Sequence, residues 1–213
     1  MSFADVVQWA EGYNRRGQYS PIGVAFHWIM AAAILFQLGY GWYLGYQGVG
    51  ADKYLGYQLH GTIGFTIMTV GALRFFWRSN IAGPDLVDDD SFSGKASAAL
   101  QYFFYLCFFA LPISGWVMWS ALPGELTLSV AGLVPIPNLP FHQLSFDLQA
   151  RLIRYATNTH QIFIWGLMLG IPGHAGAALL HHFIKRDRVL ASMLPDLNGP
   201  ELEGLVGAGQ DRG

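Results

Sequence analysis

The sequence predicts an all-α membrane protein: a four-helix transmembrane bundle with both termini cytoplasmic. Three observations carry that reading. Of 213 residues, 53% are hydrophobic and only 12% charged, against roughly 25% charged in an ordinary soluble domain. Four stretches, 19–51, 54–73, 96–124 and 155–184, contain no Asp, Glu, Lys or Arg. Each reaches the roughly 20 residues that cross a hydrocarbon core. The cations are lopsided about these stretches: Arg15, Arg16, Arg74, Arg78, Lys95, Lys185, Arg186, Arg188 and Arg212 fall on one side, Lys53, Arg151 and Arg154 on the other. The cation-rich side is cytoplasmic by the positive-inside rule.

Element by element, residues 1–18 form an N-terminal cytoplasmic segment. Its stretch "FADVVQWAEGY" is mildly amphipathic, lacks the solid apolar core of a cleaved signal, and reads as a short interfacial helix. The spans are expected at about 21–44, 56–77, 97–120 and 158–183, within one domain over 19–190. Their apolar residues run all round rather than along one stripe, which suits lipid on the outside. Tyr40, Trp42, Tyr43 and Tyr46 cluster where an outer aromatic belt belongs. The inner loop "GPDLVDDDSFSG" is acidic. In the outer loop, "LSVAGLVPIPNLP" is turn-rich and "FDLQARLIRYA" reads as a short amphipathic helix lying on the membrane surface. The cytoplasmic tail, 191–213, reads as extended or partner-dependent.

Several function classes fall away. A formal net charge of -2 argues against a nucleic-acid partner. A single cysteine, Cys107, excludes a disulfide framework and a multi-cysteine metal site. Neither a GxGxxG fingerprint nor a P-loop is present.

Histidine is the informative residue. Imidazole is costly in hydrocarbon, yet His27 lies in the first span, His60 in the second, and His160, His174, His181 and His182 in the fourth; only His142 lies in a loop. With this topology His60 and His160 sit toward the outer face, His27 and His174 toward the inner. Fourteen residues of helix rise about 21 Å and bring a side chain back to within about 40° of its starting direction. His160 and His174 therefore share a face at two depths, as axial ligands of two stacked haems would. Depth pairs His60 with His160 and His27 with His174. Gly23, Gly64 and Gly170, each four residues from one of these histidines, would leave room for a flat macrocycle. Arg74, fourteen after His60, would meet a haem propionate. Taken singly, each feature has a plainer account: a histidine bonding across a helix interface, glycines for helix packing, a boundary arginine. The joint pattern is what points to haem. A metal or proton transporter built on intramembrane histidine would also call for carboxylates in the spans, and they hold none.

The segments "YSPIGVAFHWIM", "LHGTIGFTIMTVGALRFFWR", "FFALPISGWVMWSA" and "HAGAALLHHFIKRDRVLASMLP" resemble, in order over roughly 19–195, the prokaryotic cytochrome b561 family. The resemblance implies a four-helix cytochrome of the bacterial inner membrane with two haem b groups. The inner would be held by His27 and His174, the outer by His60 and His160. It implies transmembrane electron transfer linked to the quinone pool, as a quinone-linked oxidoreductase. Ubiquinone would sit near His181, His182 and Lys185, and one type of member oxidises superoxide at the outer face. The alternative is a cytochrome b subunit that anchors and relays electrons for another redox protein or a larger respiratory or photosynthetic complex. Many members carry histidines near the start of the third span where this chain has Ala98 and Gln101, so a pocket shaped by those positions differs here.

Overall fold

The computed structural model describes residues 2–86, 90–124 and 127–194. Residues 87–89 of the acidic inner loop and the tail from 195 onward lie outside the described residues. Five helices run in order: α1 (Phe3–Asn14), α2 (Pro21–Tyr46), α3 (Ala51–Asn80), α4 (Phe92–Ser120) and α5 (Phe146–Leu180). A two-stranded hairpin, β1 (Leu128–Val130) and β2 (Val134–Ile136), lies between α4 and α5. The last four helices are long and apolar enough to cross a membrane.

The helix starts follow from local chemistry. Ser2 and Asp5 form a reciprocal capping box on α1. The Ser20 hydroxyl accepts from the Gly23 amide at 3.3 Å, and Pro21 at the first helical position has no amide to leave unpaired. The Ser91 hydroxyl caps α4 through the Gly94 amide at 3.0 Å. Helix α1 is the short N-terminal helix expected from the sequence.

One expectation is corrected. "FDLQARLIRYA" is not a separate surface helix but the opening three turns of α5, which runs unbroken for 35 residues. At 1.5 Å per residue that is about 52 Å, well beyond a core of about 30 Å, so α5 projects from the outer face. Pro172 sits within it without ending it. The turn-rich outer stretch forms the β1–β2 hairpin, with Val130 opposite Val134. Ala131 and Gly132 both take positive φ (53° and 70°), as the primed turns that match hairpin twist require.

Packing is uneven around the bundle. Helix α5 packs along α4, α2 along α3, and α3 on α4, whereas α5 runs alongside neither α2 nor α3. The buried core at mid-depth comprises Met30 of α2, Ile67 of α3 and Phe108 of α4. Elsewhere the large apolar side chains face outward, among them Ile29, Phe36, Trp42, Ile162 and Leu169, as lipid contact favours.

The inner end is closed where the segment before and into α2 meets the segment that follows α5. A five-residue π-turn, His181–Lys185, follows α5 and stops at Arg186 in a left-handed conformation. The chain then folds back: the Tyr19 amide donates to the Ser192 carbonyl at 3.2 Å, Trp28 Nε1 to the Met193 carbonyl at 2.7 Å, and Arg188 to the Arg16 carbonyl at 3.3 Å. Residues 16–28 and 188–193 thus meet on one side. Residues 191–194, expected to open the tail, are bound to the bundle.

Candidate haem-binding site

Helix α5 presents its histidines to the two helices it does not pack against. His174 faces His27 of α2 with ring centroids 6.0 Å apart and planes at 50°. Farther out, His160 faces His60 of α3 at 6.4 Å and 54°. Two imidazoles bound on opposite sides of one metal ion, with metal–nitrogen bonds of about 2 Å, have centroids about 6 Å apart. Both pairs match that separation, and imidazole pairs are a donor set for haem iron. Among the described residues no cluster of three or more His, Cys, Asp or Glu gathers. The residues present fit the group.

Each pair has distinct surroundings. At the outer pair, His160 Nδ1 lies 2.9 Å from Ser114 Oγ on α4, while His60 Nδ1 is buried with no hydrogen-bond partner. Gln37 Nε2 donates to the His60 carbonyl at 2.7 Å. The hairpin is tied to α3 on both sides of His60. Gln58 Nε2 donates to the Thr127 carbonyl at 2.8 Å, and the Ser129 amide donates to Gln58 Oε1 at 2.9 Å. The Thr62 hydroxyl donates to the Ser129 carbonyl at 3.1 Å and accepts from the Ala131 amide at 3.0 Å. Buried Leu128 closes on Gly61, where a Cβ would lie 2.8 Å from it. At the inner pair, the Phe104 ring meets His174 edge-on at 5.7 Å. Arg74 lines an inner cavity with Ser20, Gly23, Phe26, Trp77 and Gln101. Gly23, on the wall of that cavity, stands one helical turn before His27 on α2.

The glycines are redistributed. Gly23 faces Ser20 and Trp77, Gly64 faces Gln37, and Gly170 packs on Phe104 and Leu100; a histidine ring is the nearest neighbour of none of the three. The glycines that do touch imidazole are Gly41, whose Cβ would lie 3.0 Å from His60 Cε1, and Gly115, at 3.8 Å from His160 Cε1. Spacing along one helix identifies neither, because each faces a histidine on a different helix.

At the inner boundary the predicted trio separates. His181 is buried, with Nδ1 paired to Asp187 Oδ2 and Nε2 3.3 Å from Lys185 Nζ. His182 is exposed and meets Phe183 edge-on. The Asp187 carboxyl lies below the ordinary carboxylate range: its slight desolvation opposes this, but the hydrogen bonds from His181 and the Val189 amide and the charges of His181 and Lys185 outweigh it. Sequence reasoning missed Asp187, the residue that organises this corner. On the outer face Lys53 is bonded to the Gln47 carbonyl at 2.9 Å and Arg151 to Asp147 at 2.8 Å. His142 lies in a single 3-10 turn, Pro140–Gln143, outside both pairs.

Comparison with known proteins agrees with this geometry. The family description "Prokaryotic cytochrome b561" matches residues 18–196. Cytochrome b561 homolog 2 of Escherichia coli (strain K12) is 31% identical over 185 residues, covering 85% of this chain and 93% of the relative. Cytochrome b561 homolog 1 of the same organism is 26% identical over 181 residues, covering 84% and 97%. A four-helix membrane fold, two facing imidazole pairs and a match along nearly the whole chain lead to one conclusion: the chain belongs to the prokaryotic cytochrome b561 family of haem b membrane cytochromes that transfer electrons.

Proposed function

We propose that the protein carries electrons across the bacterial inner membrane between two haem b groups, one held by His60 and His160 and the other by His27 and His174. The carrying observation is the pair of cross-helix imidazole contacts at 6.0 and 6.4 Å, both contributed on one side by α5. Haem iron supplies one-electron chemistry, and ligation by two histidines leaves no open coordination position, which suits electron carriage rather than oxygen binding. The chain's own residues do the rest. Four imidazoles set ligand identity, Arg74 supplies a cation for a propionate, and the hairpin covers the outer pair. These are the levers by which a protein tunes such a cofactor.

We place quinone exchange at the inner end, where His181, His182 and Lys185 lie beyond His174. Seven residues after His174, His181 returns to nearly the same helix face. With Asp187 and Lys185 it forms a polar group that can hydrogen-bond a quinone oxygen, while exposed His182 stands beside it.

A pyridine haemochrome assay on the purified chain tests the first reading, with two haem b per chain expected. His27→Ala and His160→Ala should each leave one, and retention of both would overturn the pairing. For the quinone reading, reduction of the haems by a ubiquinol analogue should slow at least tenfold in Lys185→Ala and His182→Ala. Rates equal to wild type in both would refute it.

A further inference from the structure

A serine inside an apolar membrane helix calls for an account of its hydroxyl. Ser114 of α4 is buried, 6% exposed, and two contacts satisfy it. Its Oγ lies 2.9 Å from the Leu111 carbonyl one turn back and 2.9 Å from Nδ1 of His160 on α5. A serine hydroxyl has one proton, and a carbonyl only accepts. The proton therefore goes to Leu111, and Oγ is left as an acceptor toward His160. If the hydroxyl turned instead to donate to Nδ1, two oxygens with no proton between them would face each other at 2.9 Å.

We infer that Ser114 is a positioning residue for the outer haem: its hydroxyl, committed as donor to Leu111, holds the Nδ1 proton of His160 and so presents Nε2 of that ring to iron. This rests on the proposed reading of His160 as an axial ligand. The partner of a ligand's second nitrogen fixes the tautomer and ring orientation and raises ligand basicity. A more basic imidazole favours ferric over ferrous iron. His60, across the pair, has its Nδ1 buried without a partner among the described residues, so the hydroxyl acts on one imidazole of the pair. Leu111, Pro112, Ser114 and Gly115 all belong to the stretch "ALPISGW". Within it Leu111 offers the carbonyl, Ser114 the hydroxyl, and Gly115 the clearance beside His160 Cε1.

The test is a potentiometric titration of the full-length holoprotein, with the outer haem assigned through a His27→Ala variant that retains it alone. Ser114→Ala should keep two haems and shift the outer haem's ferric–ferrous balance about threefold toward ferrous, or about 28 mV upward at 59 mV per tenfold for one electron. The inner haem should stay at its wild-type potential. Ser114→Thr, which keeps the hydroxyl, should return the outer haem to wild type. Ser120→Ala removes a buried hydroxyl from the same helix that has no hydrogen-bond partner among the described residues, and it should move neither potential. Two haems with unshifted potentials in Ser114→Ala would overturn the inference, as would a shift confined to the inner haem. If Ser114→Ala loses the outer haem, recovery of haem and potential in Ser114→Thr supports the role, and failure to recover overturns it. A wild-type chain without haem would instead remove the proposed function itself.

Discussion

A Cβ placed on Gly41 would lie 3.0 Å from Cε1 of His60, with Nδ1 and Nε2 of the same ring at 3.6 and 3.9 Å. Helix α2 thus presents bare backbone to the edge of an imidazole on α3, and the ring's direction toward His160 depends on it. Gly41→Ala should tilt His60 and broaden or shift the outer haem's absorption band. Gly41→Leu should remove that haem and halve the haem content. Gly45, one turn farther along, has nothing within 4 Å of its Cβ position, so Gly45→Ala should retain both haems and their spectra. Equal spectra for Gly41→Leu and wild type would show that α2 does not set the ring.

A Cβ on Gly166 of α5 would run into the Phe103 ring on α4. Overpacking of this kind costs about 1–3 kcal/mol. Gly166→Ala should accordingly lower the thermal midpoint of the detergent-solubilised protein. Adding Phe103→Leu should recover much of the loss, because the two side chains compete for one space and their effects are not additive. A double variant no better than the sum of the singles would deny the contact.

The inner corner should respond to acid. Asp187 has a folded-state pKa held below its ordinary value, so its ionised form stabilises the fold of the returning chain. That contribution is full above the unfolded carboxylate pKa of about 4 and fades as pH falls through the lower native value. The exchange free energy of the Ser192 amide, whose N–H donates to the Arg188 carbonyl at 2.8 Å, should stay constant from pH 7 to 5 and fall below 4. Asp187→Asn should exchange faster already at pH 7. A pH-independent exchange free energy in wild type would contradict this.

Two side chains of α3 hold the hairpin over the outer pair. Gln58→Ala removes hydrogen bonds to Thr127 and Ser129, and Thr62→Val removes those to Ser129 and Ala131. At about 1 kcal/mol per bond, each substitution should raise amide exchange at Ser129 and Ala131 by roughly one to two orders of magnitude. The inner haem should be unaffected, and unchanged exchange would mean that packing of Leu128 on Gly61 alone holds the hairpin.

Much of this protein is legible without coordinates, for a physical reason. Membrane spans are written in continuous apolar composition, and orientation in the placement of twelve Lys and Arg; both are properties of the chain taken in order. The spacing of His160 and His174 is also local, since a helix converts fourteen residues into a fixed rise and a nearly repeated direction. Composition and helical periodicity were therefore enough to pair His60 with His160 and His27 with His174, and the rings are found facing each other in those combinations. The length of α5 was misjudged because "FDLQARLIRYA" is amphipathic by itself, and only its continuity with the span shows that it projects outward instead of lying flat.

What the tertiary structure alone decided lies between helices. Gly23, Gly64 and Gly170 stand at persuasive intervals from histidines yet face Trp77, Gln37 and Phe104, while Gly41 and Gly115 approach the rings from neighbouring helices. The Ser114 hydroxyl finds His160 across 46 positions of sequence, and Asp187 reaches His181 only because the π-turn and the left-handed Arg186 reverse the chain. Periodicity along one helix says which way a residue points. It is silent about what a second helix, at its own rotation and height, brings to meet it.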